Sequence, residues 1–137
     1  MLQPKQRKYK KEFRGKMGGL DLRGSELAFG EFGIQSIDRG WIRSREIEAA
    51  RKTIVNYTSR KGKLWIKIFP HKPYTKKSDE VVRGGGKGDV DHYVAVIKPG
   101  RILFEIGGLP EEVAREALRL ASSKLSLRTR FISKHQK

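Results

Sequence analysis

The sequence VRGGGKG, residues 82–88, decides how the rest of this chain is arranged. It ends a polar connection, without helical or strand periodicity, between two strand-like segments, Lys63–Phe69 and His92–Ile97. Four glycines in five positions let the backbone approach another surface closely, and Arg83 and Lys87 add fixed charge. Ordering such a loop costs much entropy, which favours an anionic partner that orders it on binding. We expect that partner to be nucleic acid.

The composition supports a polyanionic partner. Among 137 residues, 31 are Lys or Arg and 15 are Asp or Glu, which gives a formal charge of +16. Such an excess opposes compaction unless a polyanion neutralises it. No apolar segment reaches the ~20 residues of a membrane span, so nucleic acid ranks above a membrane surface. The absence of cysteine excludes disulfides, thiolate zinc sites and cysteine nucleophiles.

Residues 1–24 form a basic arm broken by glycines, with eight cations and two acidic residues. Basic segments with spaced aromatic residues can follow phosphates and stack on bases. A solvated, disordered tail is the alternative, since many charge runs are that. The candidate RNA-binding residues in the arm are Lys5, Arg7, Lys8, Tyr9, Lys10, Lys11, Arg14 and Lys16.

The pattern of residues 25–69 predicts strands around a helix. Residues 25–42 predict two short strands, and Trp41 is assigned to the core or to a domain edge rather than to base stacking. Residues 44–61 predict a helix with Ser44 as N-cap and Gly62 as stop. Its buried stripe comprises Ile47, Ala50, Ile54 and Tyr57, and its outer face carries the candidate RNA-binding residues Arg45, Arg51 and Lys52. Residues 63–69 alternate as a strand.

The second half predicts a hairpin, a helix and a last strand. Residues 92–97 and 101–106 flank Pro99-Gly100, which suits a type II turn. Residues 110–124 predict a helix that starts at Pro110, with a packed stripe of Val113, Ala114, Ala117, Leu118 and Ala121. Residues 127–132 predict a strand that carries the candidate RNA-binding residues Arg128 and Arg130.

These elements indicate an α+β fold in which two helices pack on one mostly antiparallel, mixed sheet. We expect the arm over residues 1–24, followed by a single domain over residues 25–137 with an inserted loop at residues 70–91.

Enzyme and cofactor chemistry has little support in the sequence. The glycine-rich loop fails the nucleotide-binding pattern, because Gly88 follows Lys87 where Ser or Thr is required. Asp89, Asp91 and His92 are close in sequence, but we interpret them as a solvated strand end rather than a metal site. We expect no catalytic residue, metal or cofactor. An RNA-processing enzyme and a free-standing RNA chaperone remain as alternatives.

Six segments resemble one family, the bacterial and organellar large-subunit ribosomal protein L-sixteen, in order and over essentially the whole chain. They are MLQPK at residues 1–5 with KYKK at 8–11, FGEFGI at 29–34, REIEAAR at 45–51, GKLWIKIFP at 62–70, YVAVIKPG at 93–100 and PEEVAREA at 110–117.

The resemblance implies an α/β-hammerhead type of domain with a structural, non-enzymatic role in late subunit assembly. Its implied partners are large-subunit rRNA near the peptidyl-transferase centre, A-site tRNA with P-site tRNA as a further candidate, and neighbouring ribosomal proteins, but no membrane. The implied location is the large ribosomal subunit in the bacterial cytoplasm or in an organelle. The tRNA-contacting loop would comprise Arg83, Gly84, Gly85, Gly86, Lys87 and Gly88.

The loop departs from the family at two positions. The family pattern is Arg-Met-Gly-x-Gly-Lys-Gly, whereas Val82 stands at the Arg position and Arg83 at the Met position. This displacement removes an arginine that some family members hydroxylate.

Overall fold

The computed structural model describes residues 25–75 and 90–134, which form seven strands and two helices. The strands are β1 (Phe32–Ser36), β2 (Gly40–Arg43), β3 (Lys63–Ile66), β4 (Lys72–Thr75), β5 (Val90–Ile97), β6 (Ile102–Gly107) and β7 (Thr129–Ser133); the helices are α1 (Ser44–Tyr57) and α2 (Glu111–Ser122). The predicted α+β class is confirmed.

The described strands form two sheets rather than the single sheet expected. One has the order β3-β6-β1-β7 and the other the order β2-β5-β4, and neighbouring strands in both are antiparallel. Both helices cover the same core, because α1 packs on β2 and β5, α2 packs on β1 and β7, and the helices pack on each other. One apolar cluster therefore joins the two sheets, with Phe104, Ile47 and Leu118 fully buried within it.

The predicted hairpin of β5 and β6 is wrong, although its turn is correct. The Arg101 N–H donates to the Lys98 carbonyl at 3.2 Å and Gly100 has φ +93°, as a type II turn requires. The two strands that leave the turn enter different sheets. The reason lies in β1, because the Ser36 carbonyl accepts the Gly100 N–H at 2.8 Å and the Ser36 N–H donates to the Arg101 carbonyl at 2.8 Å. These bonds pair β6 with β1 in place of β5.

Strand β4 lies within the segment that was expected to be a structureless loop at residues 70–91. Lys72–Thr75 pairs with β5 at the edge of the three-stranded sheet, and β5 itself starts at Val90. The sequence did not predict β4 because the strand is short and contains Pro73, although proline is tolerated in edge strands. Residues 76–89, which include the glycine-rich loop, lie outside the described residues.

Helix α1 begins where predicted but ends earlier. Ser44 is the first helical residue rather than the N-cap, and the Glu46 carboxylate accepts the Arg43 N–H at 2.9 Å. The helix stops at Tyr57, and Ser59 and Arg60 then adopt left-handed φ angles of 54° and 63°. Tyr57 is 45% exposed, so its assignment to the buried stripe was wrong, whereas the other three stripe residues are buried.

The remaining elements differ from the prediction mainly at their ends. Pro110 is the N-cap of α2 rather than its first residue, and the helix ends at Ser122. Val113 is half-buried, while the four other residues of the predicted stripe are fully buried. Strand β3 ends at Ile66, although the Lys67 N–H still donates to the Leu103 carbonyl at 3.0 Å. Strand β7 is shifted to Thr129–Ser133, because it follows the register of β1.

Candidate nucleic-acid interface

The predicted interface residues divide into described and undescribed groups. The arm residues from Lys5 to Lys16 and the loop residues from Arg83 to Gly88 lie outside the described residues, so their roles stay predictions. Of the five other candidates, Arg45, Arg51 and Lys52 lie on α1, Arg130 lies on β7, and Arg128 directly precedes β7. Helix α2 packs against both α1 and β7.

The α1 cations differ in their partners. Arg45 and Lys52 are exposed, while Arg51 is half-buried and donates its Nε to Glu48 Oε1 at 3.1 Å. This hydrogen bond raises the pKa of Arg51 and lowers the pKa of Glu48. Arg51 is therefore partly neutralised within the helix, and Arg45 and Lys52 are the better candidates for phosphate contacts.

The β7 cations are also engaged within the fold. Arg128 forms a two-pronged ion pair with Asp38, with Nη2 to Oδ1 at 2.7 Å and Nε to Oδ2 at 3.1 Å. Hydrogen bonds from Arg128 lower the pKa of Asp38, and the same pair raises the pKa of Arg128. The Arg130 Nε donates to Gln35 Oε1 at 2.9 Å. The Arg128 side chain is still 77% exposed, so it can bridge Asp38 and a phosphate.

A group of exposed cations that the candidate set did not include follows α1. Arg60, Lys61 and Lys63 surround the tight turn that leads into β3. Cations are favoured here because the carboxyl end of a helix carries partial negative charge. The KGK sequence at residues 61–63 is the signal that could have identified this turn, since Gly62 has φ +75°.

A second feature missed in the sequence is a partly exposed cluster of two aromatic rings and a lysine, which we call the Phe29 surface and define as Phe29, Trp65 and Lys67. The Phe29 ring stacks on Trp65 with centroids 6.0 Å apart and planes inclined by 19°. Lys67 Nζ lies 4.2 Å from the Phe29 centroid. Phe29 was assigned to a strand, but it precedes β1 and is 60% exposed.

The Phe29 surface is anchored by a buried carboxylate. Glu105 has no exposed surface, and its Oε1 accepts the N–H groups of Ala28, Phe29 and Gly30 at 3.0, 2.8 and 2.8 Å. Its Oε2 lies 3.7 Å from Lys67 Nζ. The Glu105 carboxylate therefore contacts both the backbone segment that carries Phe29 and the side chain of Lys67. The contacts span about 75 positions, and no local pattern announces them.

Trp41 has the position that the sequence indicated. It lies in β2 at an edge of the three-stranded sheet, half-buried, and Lys72 Nζ lies 5.3 Å from its ring centroid. This lysine covers the ring, so Trp41 is a poor platform for a base.

An open groove of about 510 Å³ lies between the two sheets. Its floor is apolar, with Ile66, Ile68 and Val96, and its rim carries His71 and Arg101. The Arg101 Nη2 donates to the Lys67 carbonyl at 2.8 Å, which fixes the guanidinium across the junction of the sheets. Among the described residues that line the groove there are cations and no carboxylate, in keeping with a surface for anions.

The part of the chain that the structure describes contains neither a group of metal-ligating side chains nor a helix suited to cross a membrane. Within residues 25–75 and 90–134, no three His, Asp or Glu side chains come together to hold a metal ion. The Asp89, Asp91 and His92 trio falls partly outside that part, because residue 89 and the side chain of residue 91 are not described. Neither described helix has the length and apolar character needed to cross a bilayer.

Comparison with known proteins identifies relatives over nearly the full chain. The family model of ribosomal protein L16p/L10e matches residues 4–132. A protein named large ribosomal subunit protein uL16 from Macrococcus caseolyticus is 56% identical over 136 residues, which cover 99% of this chain and 94% of the relative. A protein named large ribosomal subunit protein uL16c from Phaeodactylum tricornutum is 55% identical over 134 residues, which cover 98% of this chain and 97% of the relative.

Proposed function

The chain belongs to the ribosomal protein L16p/L10e family, and on that premise we propose that it is a structural constituent of the large ribosomal subunit. It binds large-subunit rRNA and neighbouring ribosomal proteins, and it contacts A-site tRNA, with P-site tRNA as a further candidate contact. The observation that carries this proposal is sequence identity of 55–56% to two proteins named as large-subunit proteins, over almost the entire length of each. Its setting is a bacterial or plastid ribosome, as for those relatives.

The distribution of charge supports an rRNA contact that extends over more than one face. Exposed cations occur at both ends of α1, with Arg43 and Arg45 at its start and Arg60 and Lys61 at its end. Arg128 adds a charge near β7. Each phosphate that a cation neutralises releases counterions, so dispersed cations suit RNA that surrounds a domain.

The arm and the loop have different roles, since the arm binds rRNA and the loop contacts tRNA. The arm contributes seven cations within its first 16 residues and anchors the chain to rRNA phosphates. The loop carries Arg83 and Lys87 on a glycine backbone, and it reaches a tRNA that binds and leaves. A free-standing RNA chaperone has no observation of its own to favour it, and relatives named as ribosomal proteins argue against an RNA-processing enzyme.

The rRNA contact is tested by crosslinking within the ribosome. A tagged copy of the chain replaces its counterpart in a bacterium, large subunits are washed in high salt, and ultraviolet light crosslinks protein to RNA. We expect the chain to stay at one copy per subunit and its crosslinks to fall in large-subunit rRNA. A chain that washes off, or that crosslinks only to messenger RNA, contradicts the proposal.

A further inference from the structure

We propose that the groove between the two sheets holds one unpaired nucleotide of rRNA, with its base on the apolar floor and its phosphate at the cationic rim. The inference rests on the proposed function and adds to it one defined contact.

The open space of the groove is the first observation. Its volume of about 510 Å³ lies within the range of roughly 300–1,000 Å³ for pockets that hold small ligands. The groove forms where the chain changes sheets, because Ile66 ends β3 in one sheet and Lys72 begins β4 in the other. The connecting segment lines the groove on one side and the end of β5 lines it on the other, so a base has room to lie between them.

The exposure of apolar side chains in the groove is the second observation. Phe69 is 45% exposed, and Ile66 and Val96 are only half-buried. An occupant with a flat, weakly polar face would remove this surface from water, which favours binding. Unpaired bases in loops and bulges leave the helical stack and offer such a face.

Charge complementarity selects RNA as the occupant. Among the described residues that line the groove, Lys67, His71 and Arg101 are basic and none is acidic. The Lys67 ammonium lies near Glu105, so the permanent charge at the rim comes from Arg101. A hydrogen bond of 2.8 Å to the Lys67 carbonyl holds this guanidinium in place, and a guanidinium suits the geometry of a phosphate. In the proposed setting, rRNA supplies that phosphate together with the base.

The test is modification of unpaired bases by dimethyl sulfate in purified large subunits, prepared without the chain, with the unaltered chain and with variants. We expect at least one unpaired base to react in subunits without the chain and to be protected by the unaltered chain. Val96→Glu places a negative charge in the groove, so this base should react as strongly as it does without the chain. Val96→Ala keeps the groove apolar and uncharged, and it should retain the protection.

Two further variants separate the groove from the rest of the fold. Phe69→Ser removes apolar surface at an exposed position, where replacement disturbs the fold little, and it should expose the same base. Val113→Glu is the matched control, because Val113 is also a half-buried valine but lies on α2. It should leave the base protected.

The inference is overturned if either groove variant, Val96→Glu or Phe69→Ser, enters large subunits and keeps every base protected. It is overturned as well if Val96→Ala or Val113→Glu exposes the same base. Release of a ribosomal protein by the groove variants, without exposure of a base, would show that the groove holds protein instead. If the unaltered chain does not enter large subunits at all, the proposed function fails, which is a different result from a groove without a nucleotide.

Discussion

Glu105 and Gly30 are joined by a hydrogen bond of 2.8 Å between a carboxylate oxygen and a backbone N–H, across 75 positions of sequence and without access to solvent. The same oxygen accepts two further N–H groups, from Ala28 and Phe29. These hydrogen bonds hold the segment before β1 against β6. Glu105 therefore fixes the backbone of residues 28–30.

Removal of this carboxylate should destabilise the fold. Glu105→Ala leaves the buried Gly30 N–H without its acceptor and Lys67 without its nearby charge, so we expect a loss of about 2–4 kcal/mol in the free energy of unfolding. Urea denaturation of the purified chain measures it. Glu116→Ala, which breaks an exposed ion pair with Arg119 on α2, is the control and should change little. Equal losses in the two variants would show that Glu105 has no special role.

The stability of the turn between β5 and β6 should depend on glycine at position 100. Gly100 has φ +93°, which a residue with a Cβ adopts at a cost of about 1–2 kcal/mol. We expect Gly100→Ala to lower the free energy of unfolding by that amount. Gly107→Ala is the matched control, because its Cβ would meet Trp65 at an ordinary 3.4 Å and its φ is not positive. A stable Gly100→Ala protein would contradict the turn as described.

The pair of Asp38 and Arg128 should make stability depend on pH in the acid range. Hydrogen bonds from Arg128 hold the pKa of Asp38 below its ordinary value of 3.8. A lowered carboxyl pKa stabilises the fold above the unfolded value, and this stabilisation disappears as the pH falls through the folded value. Asp38→Asn should therefore have a lower Tm than the unaltered chain at pH 6, with the difference shrinking below about pH 4. A difference that stays constant with pH would assign the effect to something other than titration of Asp38.

The sequence predicted local structure well and long-range pairing poorly. Periodicity located both helices, and three of the four stripe positions on α1 are buried, because burial of one helix face leaves a repeat of three and four. The exception, Tyr57, lies in the last turn, where the chain leaves the core. The Pro99-Gly100 turn was correctly typed from its residues. Which sheet each flanking strand joins depends on Ser36, more than 60 positions away, and no local pattern records that choice.

The nucleic-acid partner of the candidate site stays a prediction, and the sequence does not record how the described side chains are arranged. Net charge and glycine content indicated a polyanionic partner before any fold was known. The sequence could not reveal that Arg128 binds an acidic side chain of the same chain, because its partner Asp38 is 90 positions away. The pair of Arg51 with Glu48 is local, since the two residues lie three positions apart on α1. The sequence also could not reveal the Phe29 surface, since an aromatic residue beside a strand usually packs in the core.

The arm should determine how rRNA affinity responds to salt. Each phosphate contact steepens the fall of log affinity with log salt by somewhat less than ~1 unit. Lys5→Gln with Lys8→Gln should therefore flatten the slope by one to two units, about the loss of two contacts. Arg115→Gln with Arg119→Gln removes the same charge from side chains already paired with Glu111 and Glu116, and it should leave the slope nearly unchanged. Equal slopes for the two double variants would place the rRNA contacts outside the arm.

The division of roles between anchor and loop is the central claim, and tRNA affinity on assembled ribosomes tests it most directly. Ribosomes that carry Arg83→Ala with Lys87→Ala should assemble with a normal sedimentation profile if, as proposed, the arm and the domain hold the rRNA. Their affinity for A-site tRNA should fall by about 1–3 kcal/mol, the range for the loss of one or two charge-assisted contacts. If instead the double variant stalls subunit assembly while its completed ribosomes bind A-site tRNA normally, the loop is an rRNA anchor and the account is wrong.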